Sequence, residues 1–130
     1  MTKEELKRYN RQIILEGVGM EGQSKLKNSK VLVVGAGGLG SPVLQYLSAA
    51  GVGTIGIIDA DTVALSNLQR QILFTTSDID RNKAVVAAER LGATNPHTSW
   101  KVFTDFLIDK NALSIIKDFD LVVDGTDNFK

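Results

Sequence analysis

The sequence has no cysteine, which excludes a disulfide framework and any thiolate metal site within these residues. It also lacks an excess charge of either sign. Fifteen Lys and Arg residues balance fifteen Asp and Glu residues, so no global field draws nucleic acid or an anionic membrane. Any anion site must be built locally. No apolar run approaches the roughly 18–20 residues that span a bilayer. The opening MTKEELKRYNRQ is polar and mixed in charge, unlike a secretory signal, and the cytoplasm is the expected location. Internal repeats, low-complexity tracts and linker-like stretches are missing too.

What is present is ordinary for a single globular domain. The 130 residues are 43% hydrophobic and 23% charged, enough for one compact domain and too few for two. Apolar strand-like runs alternate with helical patterns, which is the signature of a parallel sheet wrapped by helices. Strands are expected at 30–34 (KVLVV), 54–58 (TIGII), 99–103 and 121–123, and the first is a continuous apolar run suited to burial on both faces. Helices are expected at 3–8, at about 22–27 and at 42–50, the last closed by Gly51 and Gly53. Another carries Ala84, Ala87, Ala88 and Leu91, with Gly92 and Asn95-Pro96 to end it. A last one, N-capped by Asp109, carries Leu113 and Ile116. Apolar helix faces should point to the core, and Trp100 and the phenylalanines should fill the core or its edge. His97 reads as a solvated turn residue. The expected organisation is an N-terminal helical segment, 1–29, before an α/β, Rossmann-like doubly wound domain, 30–130. That domain is expected to be incomplete, because such sheets usually run to five or six strands and an uncovered LVV edge invites aggregation.

Gly35-Ala36-Gly37-Gly38-Leu39-Gly40 follows the first strand and opens a helix. An acid, Asp59, closes the second strand about 20 residues further on, as the dinucleotide fingerprint requires. The glycines serve a tight turn, a close backbone approach to phosphate, and close packing of helix on strand. The helix N-terminus adds free N–H groups and partial positive charge. Asp59 is placed to accept hydrogen bonds from ribose hydroxyls. These features alone do not separate NAD from ATP.

The remaining charges favour ATP. Asn67 and Arg70 lie in the long loop after the second strand, and a loop of that length in a compact domain is usually functional. The planar fork of arginine suits two phosphate oxygens. Lys83 falls in the first turn of a helix, where a cation opposes the helix dipole. Asp127 follows the fourth strand at the crevice where ligands bind, positioned to hold Mg²⁺ on phosphates, with Asp124 in support. A hydride-transferring enzyme has little need of such a set, whereas phosphoanhydride chemistry relies on it.

Together these residues resemble the N-terminal part of the ThiF/MoeB/HesA adenylyltransferase family, relatives of the ubiquitin-activating enzymes. The resemblance rests on Arg8-Tyr9-Asn10-Arg11-Gln12, Val34 to Gly40, Asp59-Ala60-Asp61, Ser66-Asn67-Leu68-Gln69-Arg70-Gln71, Lys83, and Asp124-Gly125-Thr126-Asp127-Asn128. It implies nucleotide contacts from Gly35, Gly37, Gly38, Gly40, Asp59, Asp61, Ser66, Asn67, Arg70, Gln71, Lys83, Asp127 and Asn128, with Mg²⁺ on Asp127. It implies catalytic roles for Arg70, Asp127 and Arg11, the last reaching across a homodimer interface into the partner's ATP site. The implied reaction is ATP-dependent adenylylation of the C-terminal glycine of a small ubiquitin-like sulfur carrier, for thiamine or molybdopterin biosynthesis. Family members continue into a second half that often carries CxxC zinc ligands, so zinc is not expected in these residues. The competing expectations are a nucleotide-binding or dimerisation module without catalysis, and an NAD-dependent oxidoreductase.

Overall fold

A computed structural model describes residues 1–126. Three short helices lead, α1 (Lys3–Arg8), α2 (Asn10–Ile13) and α3 (Gly19–Asn28). They are followed by β1 (Lys30–Val34), α4 (Gly40–Ala50), β2 (Thr54–Ile58), α5 (Lys83–Thr94), β3 (Ser99–Phe103), α6 (Asp109–Ile116) and β4 (Leu121–Asp124). The four strands form one parallel sheet in the order β3-β2-β1-β4. The chain winds outward from β1 to β3 and then returns to lay β4 on the other side of β1. This is the doubly wound topology expected from the alternating pattern, and it opens a crevice at the carboxyl ends of β1 and β4. Val34, Ile58, Phe103 and Asp124 stand in register along that end.

The core lies mainly between the sheet and helices α4 and α5. Val31, Val33, Ile55 and Ile57 meet Leu44, Val86, Ala87 and Leu91 there. Leu32 and Ile58, which alternate to the other face, are buried too, so β1 and β2 are covered on both sides. On that second face a Cβ at Gly56 would strike the Phe119 ring, and Phe119 meets Phe103 edge-on at 6.5 Å. No helix among the described residues is long and apolar enough to cross a membrane.

Polar side chains fasten the N-terminal helices to the end of α4. The last carbonyls of a helix lack intrahelical partners. Here the Ala50 carbonyl accepts from the Gln12 and Gln23 amides at 3.0 and 2.9 Å, and the Ser48 carbonyl accepts from Asn95 at 2.7 Å. Asn95 also donates to the hydroxyl of buried Tyr9 at 2.8 Å. Gly51 makes this approach possible. It adopts φ +99, which caps the helix, and a Cβ there would press on Gln23 and the Tyr9 ring.

The four strands occupy the expected residues, and β4 runs one further, to Asp124. Several helix expectations need correction. α2 was not foreseen, being a single turn without an apolar stripe; α3 and α4 begin earlier than expected, at Gly19 and Gly40. α5 passes through Gly92, which lies against the Trp100 ring, and stops at Thr94 as Pro96 forces Asn95 into an extended conformation. Ile108, not Asp109, is the N-cap of α6, and the Asn111 side chain accepts its N–H instead. Leu113 points outward, 84% exposed, and Phe106 is 66% exposed. His97 is half-buried rather than solvated, its Nε2 3.5 Å from Glu4.

α1 carries a buried carboxylate, Glu5, that accepts from Lys27 at 2.8 Å and from the Thr2 backbone at 3.0 Å. The lysine ammonium and the Thr2 N–H hold its pKa down at about 2. A carboxyl depressed below its unfolded value stabilises the fold above the unfolded pKa, and that stability fades as pH falls toward the folded pKa. Between pH 5 and 2 the protein should therefore lose on the order of 2 kcal/mol through this group. Glu5→Gln should flatten that part of the curve in denaturant titrations at stepped pH, and superimposable curves for the two proteins would refute the assignment.

Candidate nucleotide-binding site

Gly35 follows β1, and its φ of +96 turns the chain sharply out of the sheet. A Cβ at Gly40 would overlap the Gly35 carbonyl, and one at Gly125 would lie 2.8 Å from the Gly40 Cα. The glycine turn and the end of β4 therefore pack backbone against backbone. Ser41 Oγ donates to the Ala36 carbonyl at 2.7 Å and closes the turn from inside. The N–H groups of Gly37, Gly38, Leu39 and Gly40 have no acceptor among the described residues, and no side chain caps α4. They remain available to an anion.

Asp59 closes β2. One carboxylate oxygen accepts from the Ala36 N–H at 2.8 Å and the other from the Asp61 N–H at 2.8 Å. The acid thus braces the glycine turn and still has a free lone pair on each oxygen.

The loop after β2 is an ordered structure. A 3₁₀ turn at Leu65–Asn67 is held by Asn67, whose side-chain oxygen accepts the Ala64 N–H at 3.0 Å. Arg70 then donates to the Ser66 carbonyl at 3.1 Å. Farther along, the buried carboxylate of Asp78 fixes the loop to α5. It accepts from Thr75 N–H at 2.8 Å and from Arg90 at 2.6 Å. Burial alone would raise the Asp78 pKa, but the Thr75 donors and then the Arg90 guanidinium outweigh it and hold the carboxyl below its ordinary range.

These segments enclose a cleft of about 440 Å³ at the carboxyl ends of the strands, a size suited to a small ligand. The structure brings Gly35, Gly37, Gly38, Asp59, Asp61, Asn67, Arg70, Gln71 and Lys83 into its wall. Lys83 is the first residue of α5 and is only 7% exposed. Neither it nor Arg70 forms an ion pair with a described residue. Gln71 is buried, and its side-chain oxygen has no partner among the described residues. A Cβ at Gly38 would meet nothing within 4 Å. Free N–H groups, two cations without carboxylate partners among the described residues, and open space over a glycine fit the phosphates of a ligand.

A family model described as the ThiF family matches residues 9–130. The chain belongs to the ThiF family. It is 56% identical over 128 residues to a sulfur carrier protein adenylyltransferase of Thermus thermophilus, covering 98% of this chain and 47% of that protein. It is 49% identical over 129 residues to a probable adenylyltransferase/sulfurtransferase MoeZ of Mycobacterium tuberculosis, covering 99% and 33%. The chain thus spans less than half the length of these two relatives. The E. coli tRNA N6-threonylcarbamoyladenosine dehydratase TcdA, solved in complex with ATP, superposes with a TM-score of 0.90 at 29% identity, covering 98% of this chain and 52% of that one.

Three expected residues, Gly40, Ser66 and Arg11, do not join the cleft wall. Gly40 is packed against Gly35, and Ser66 contributes its carbonyl to Arg70 rather than its side chain to the cleft. Arg11, on α2, is exposed and lies outside the wall. Asp127 and Asn128 fall outside the described residues. Asp124 accepts from the Thr126 hydroxyl and N–H at 2.6 and 3.0 Å, and these two bonds lower its pKa. Among the described residues no group of three or more acids or histidines is arranged to hold a metal. Asp105, Phe106 and Leu107, unmarked in the sequence, also line the cleft, as does Thr126, which belongs to the motif after β4 but had no contact assigned to it. Their signal is position alone: they follow β3 and β4, and strand ends build the crevice in this topology.

The two kinds of glycine predict unequal stability effects. Gly40→Ala should cost about 2–4 kcal/mol, since backbone and not a flexible side chain blocks its Cβ. Gly38→Ala should stay within about 1 kcal/mol of wild type. Denaturant titration decides, and equal losses in the two variants would contradict the packing described.

Proposed function

We propose that this chain forms the ATP site of an adenylyltransferase that activates the C-terminal glycine of a small ubiquitin-like sulfur carrier, of the kind that serves molybdopterin or thiamine biosynthesis. The observation that carries the reading is the meeting of Arg70 and Lys83, two cations without carboxylate partners among the described residues, with the unpaired N–H groups of the glycine turn in one cleft. Such a constellation is matched by a polyphosphate and by little else. The ThiF family match and the adenylyltransferase relatives supply the reaction class.

In this reading the ribose lies on the free lone pairs of Asp59, and the phosphates cross the glycine turn toward Asn67, Arg70 and Lys83. Asp61 and Gln71 complete the wall. The carrier's carboxylate oxygen attacks the α-phosphorus; the bond from that phosphorus to the bridging oxygen breaks, and pyrophosphate leaves with the electron pair. No protein nucleophile or proton transfer is required. The enzyme's work is to hold two anions in line and to neutralise the departing pyrophosphate. Lys83, partly withdrawn from water, is stronger in that task than a solvated lysine. Mg²⁺ would neutralise phosphate charge further, with Asp127 as its carboxylate.

Arg11 belongs to a homodimer in this proposal. It is exposed on α2, two residues after buried Tyr9 and next to Gln12, which donates to the Ala50 carbonyl. An arginine presented outward from so fixed a platform suits delivery into a partner's cleft.

Arg70→Ala and Lys83→Met should each lower ATP–pyrophosphate exchange by about 10²-fold or more in the carrier-supplied reaction, with melting temperatures near wild type. Full exchange in both variants would defeat the reading. ATP binding without any exchange in wild type would reduce the chain to a nucleotide-binding module.

A further inference from the structure

Asn82 immediately precedes Lys83 and touches both ends of the cleft, although it does not line it. Its side-chain oxygen accepts the Val85 N–H at 3.1 Å, capping α5. Its side-chain nitrogen donates to the Asp59 carbonyl at 2.8 Å and reaches the Asp61 carbonyl at 3.4 Å. The amide can have only this orientation, because the two carbonyls only accept and the Val85 N–H only donates. One half-buried side chain thus ties the end of β2, which carries the cleft's acid, to the first turn of α5, which carries its buried lysine. Backbone bonds tie the same segments: the Lys83 N–H donates to the Asp61 carbonyl at 3.0 Å, the Val63 N–H to the Arg81 carbonyl at 2.9 Å and the Asp80 N–H to the Val63 carbonyl at 2.8 Å. Among the described residues Asn82 is the side chain that reaches from the start of α5 to the Asp59 carbonyl itself.

We propose that Asn82 is a positioning residue that holds Asp59 and Lys83 at the spacing of a nucleoside triphosphate. The proposal rests on the ATP reading of the cleft. A ligand that engages two subsites gains from the second only if their separation is fixed at its own length. The two ends have separate backbones and separate helix or strand supports, and each can bind its own fragment without Asn82. What the amide adds to those backbone bonds is a direct tie from the residue beside Lys83 to the Asp59 carbonyl. A residue with a merely structural role would lower stability or weaken all ligands alike.

The discriminating variant is Asn82→Ser, which keeps an uncharged cap acceptor for Val85 but is too short to bridge to both carbonyls. Titrations of the wild-type and variant proteins with ATP, adenosine and sodium tripolyphosphate, followed by NMR or calorimetry, read the three affinities separately. The expected result is ATP weakened about tenfold, adenosine and tripolyphosphate each within about twofold of wild type, and a melting temperature within a few degrees. If the serine variant fails to fold, Asn82→Thr likewise keeps an uncharged hydroxyl cap too short to bridge to both carbonyls and carries the same expectation. Unchanged ATP affinity in the folded variant overturns the proposal. So does a loss of adenosine binding equal to the loss of ATP binding, which marks local damage at Asp59. A wild-type protein that binds no ATP at all overturns the nucleotide reading, and this inference with it.

Discussion

Everything at the functional end of this protein depends on one close approach of backbone to backbone. The start of α4 lies so near the Gly35 carbonyl, and the end of β4 so near Gly40, that neither Gly40 nor Gly125 can carry a side chain without displacement. That contact fixes the angle at which α4 leaves the sheet. It keeps β4 beside β1, opens the crevice between them, and leaves the N–H groups of the turn facing outward. Interiors are packed like crystals, so a displacement of one methyl group here would be passed to every element that meets the turn.

The second organising theme is charge left without a carboxylate partner among the described residues. The chain spends its acids freely elsewhere: Glu5 holds Lys27, Asp78 holds Arg90, and Glu89 holds Arg81. Each pair fastens one segment to another. In the cleft the pattern reverses. Asp59 turns its carboxylate to backbone N–H groups, and Arg70 is oriented by a carbonyl. Cations aligned by neutral groups keep their full field for a ligand, which is what preorganised electrostatic stabilisation requires.

The N-terminal helices show how a short, polar segment can be made rigid. Alone, helices of this length are marginal in water. They persist because the open carbonyls at the end of α4 offer anchor points that Gln12, Gln23 and Asn95 satisfy. The same bonds relieve buried polar groups that would otherwise be costly. Arg11 stands exposed on α2, the helix that the Gln12 bond to Ala50 helps to hold.

The sequence by itself determined the four strands, the doubly wound class and most of the cleft's wall. Strands buried on both faces read as apolar runs, and a glycine turn joining strand to helix has one common use. Local physics also marked Lys83, a cation set against a helix dipole, and the family resemblance added Asp61 and Gln71. Only the tertiary structure decided which residues are working surface and which are support. Gly38 opens onto the cleft while Gly40 is packed shut, though both belong to one motif, because the difference lies in what stands opposite each Cβ. Asn82 carries no mark in the sequence, since its partners Asp59 and Asp61 lie more than twenty residues away along the chain. Phe106 and Leu113 could not be recognised as exposed, because periodicity reports that a residue is apolar and not whether a neighbour arrives to cover it.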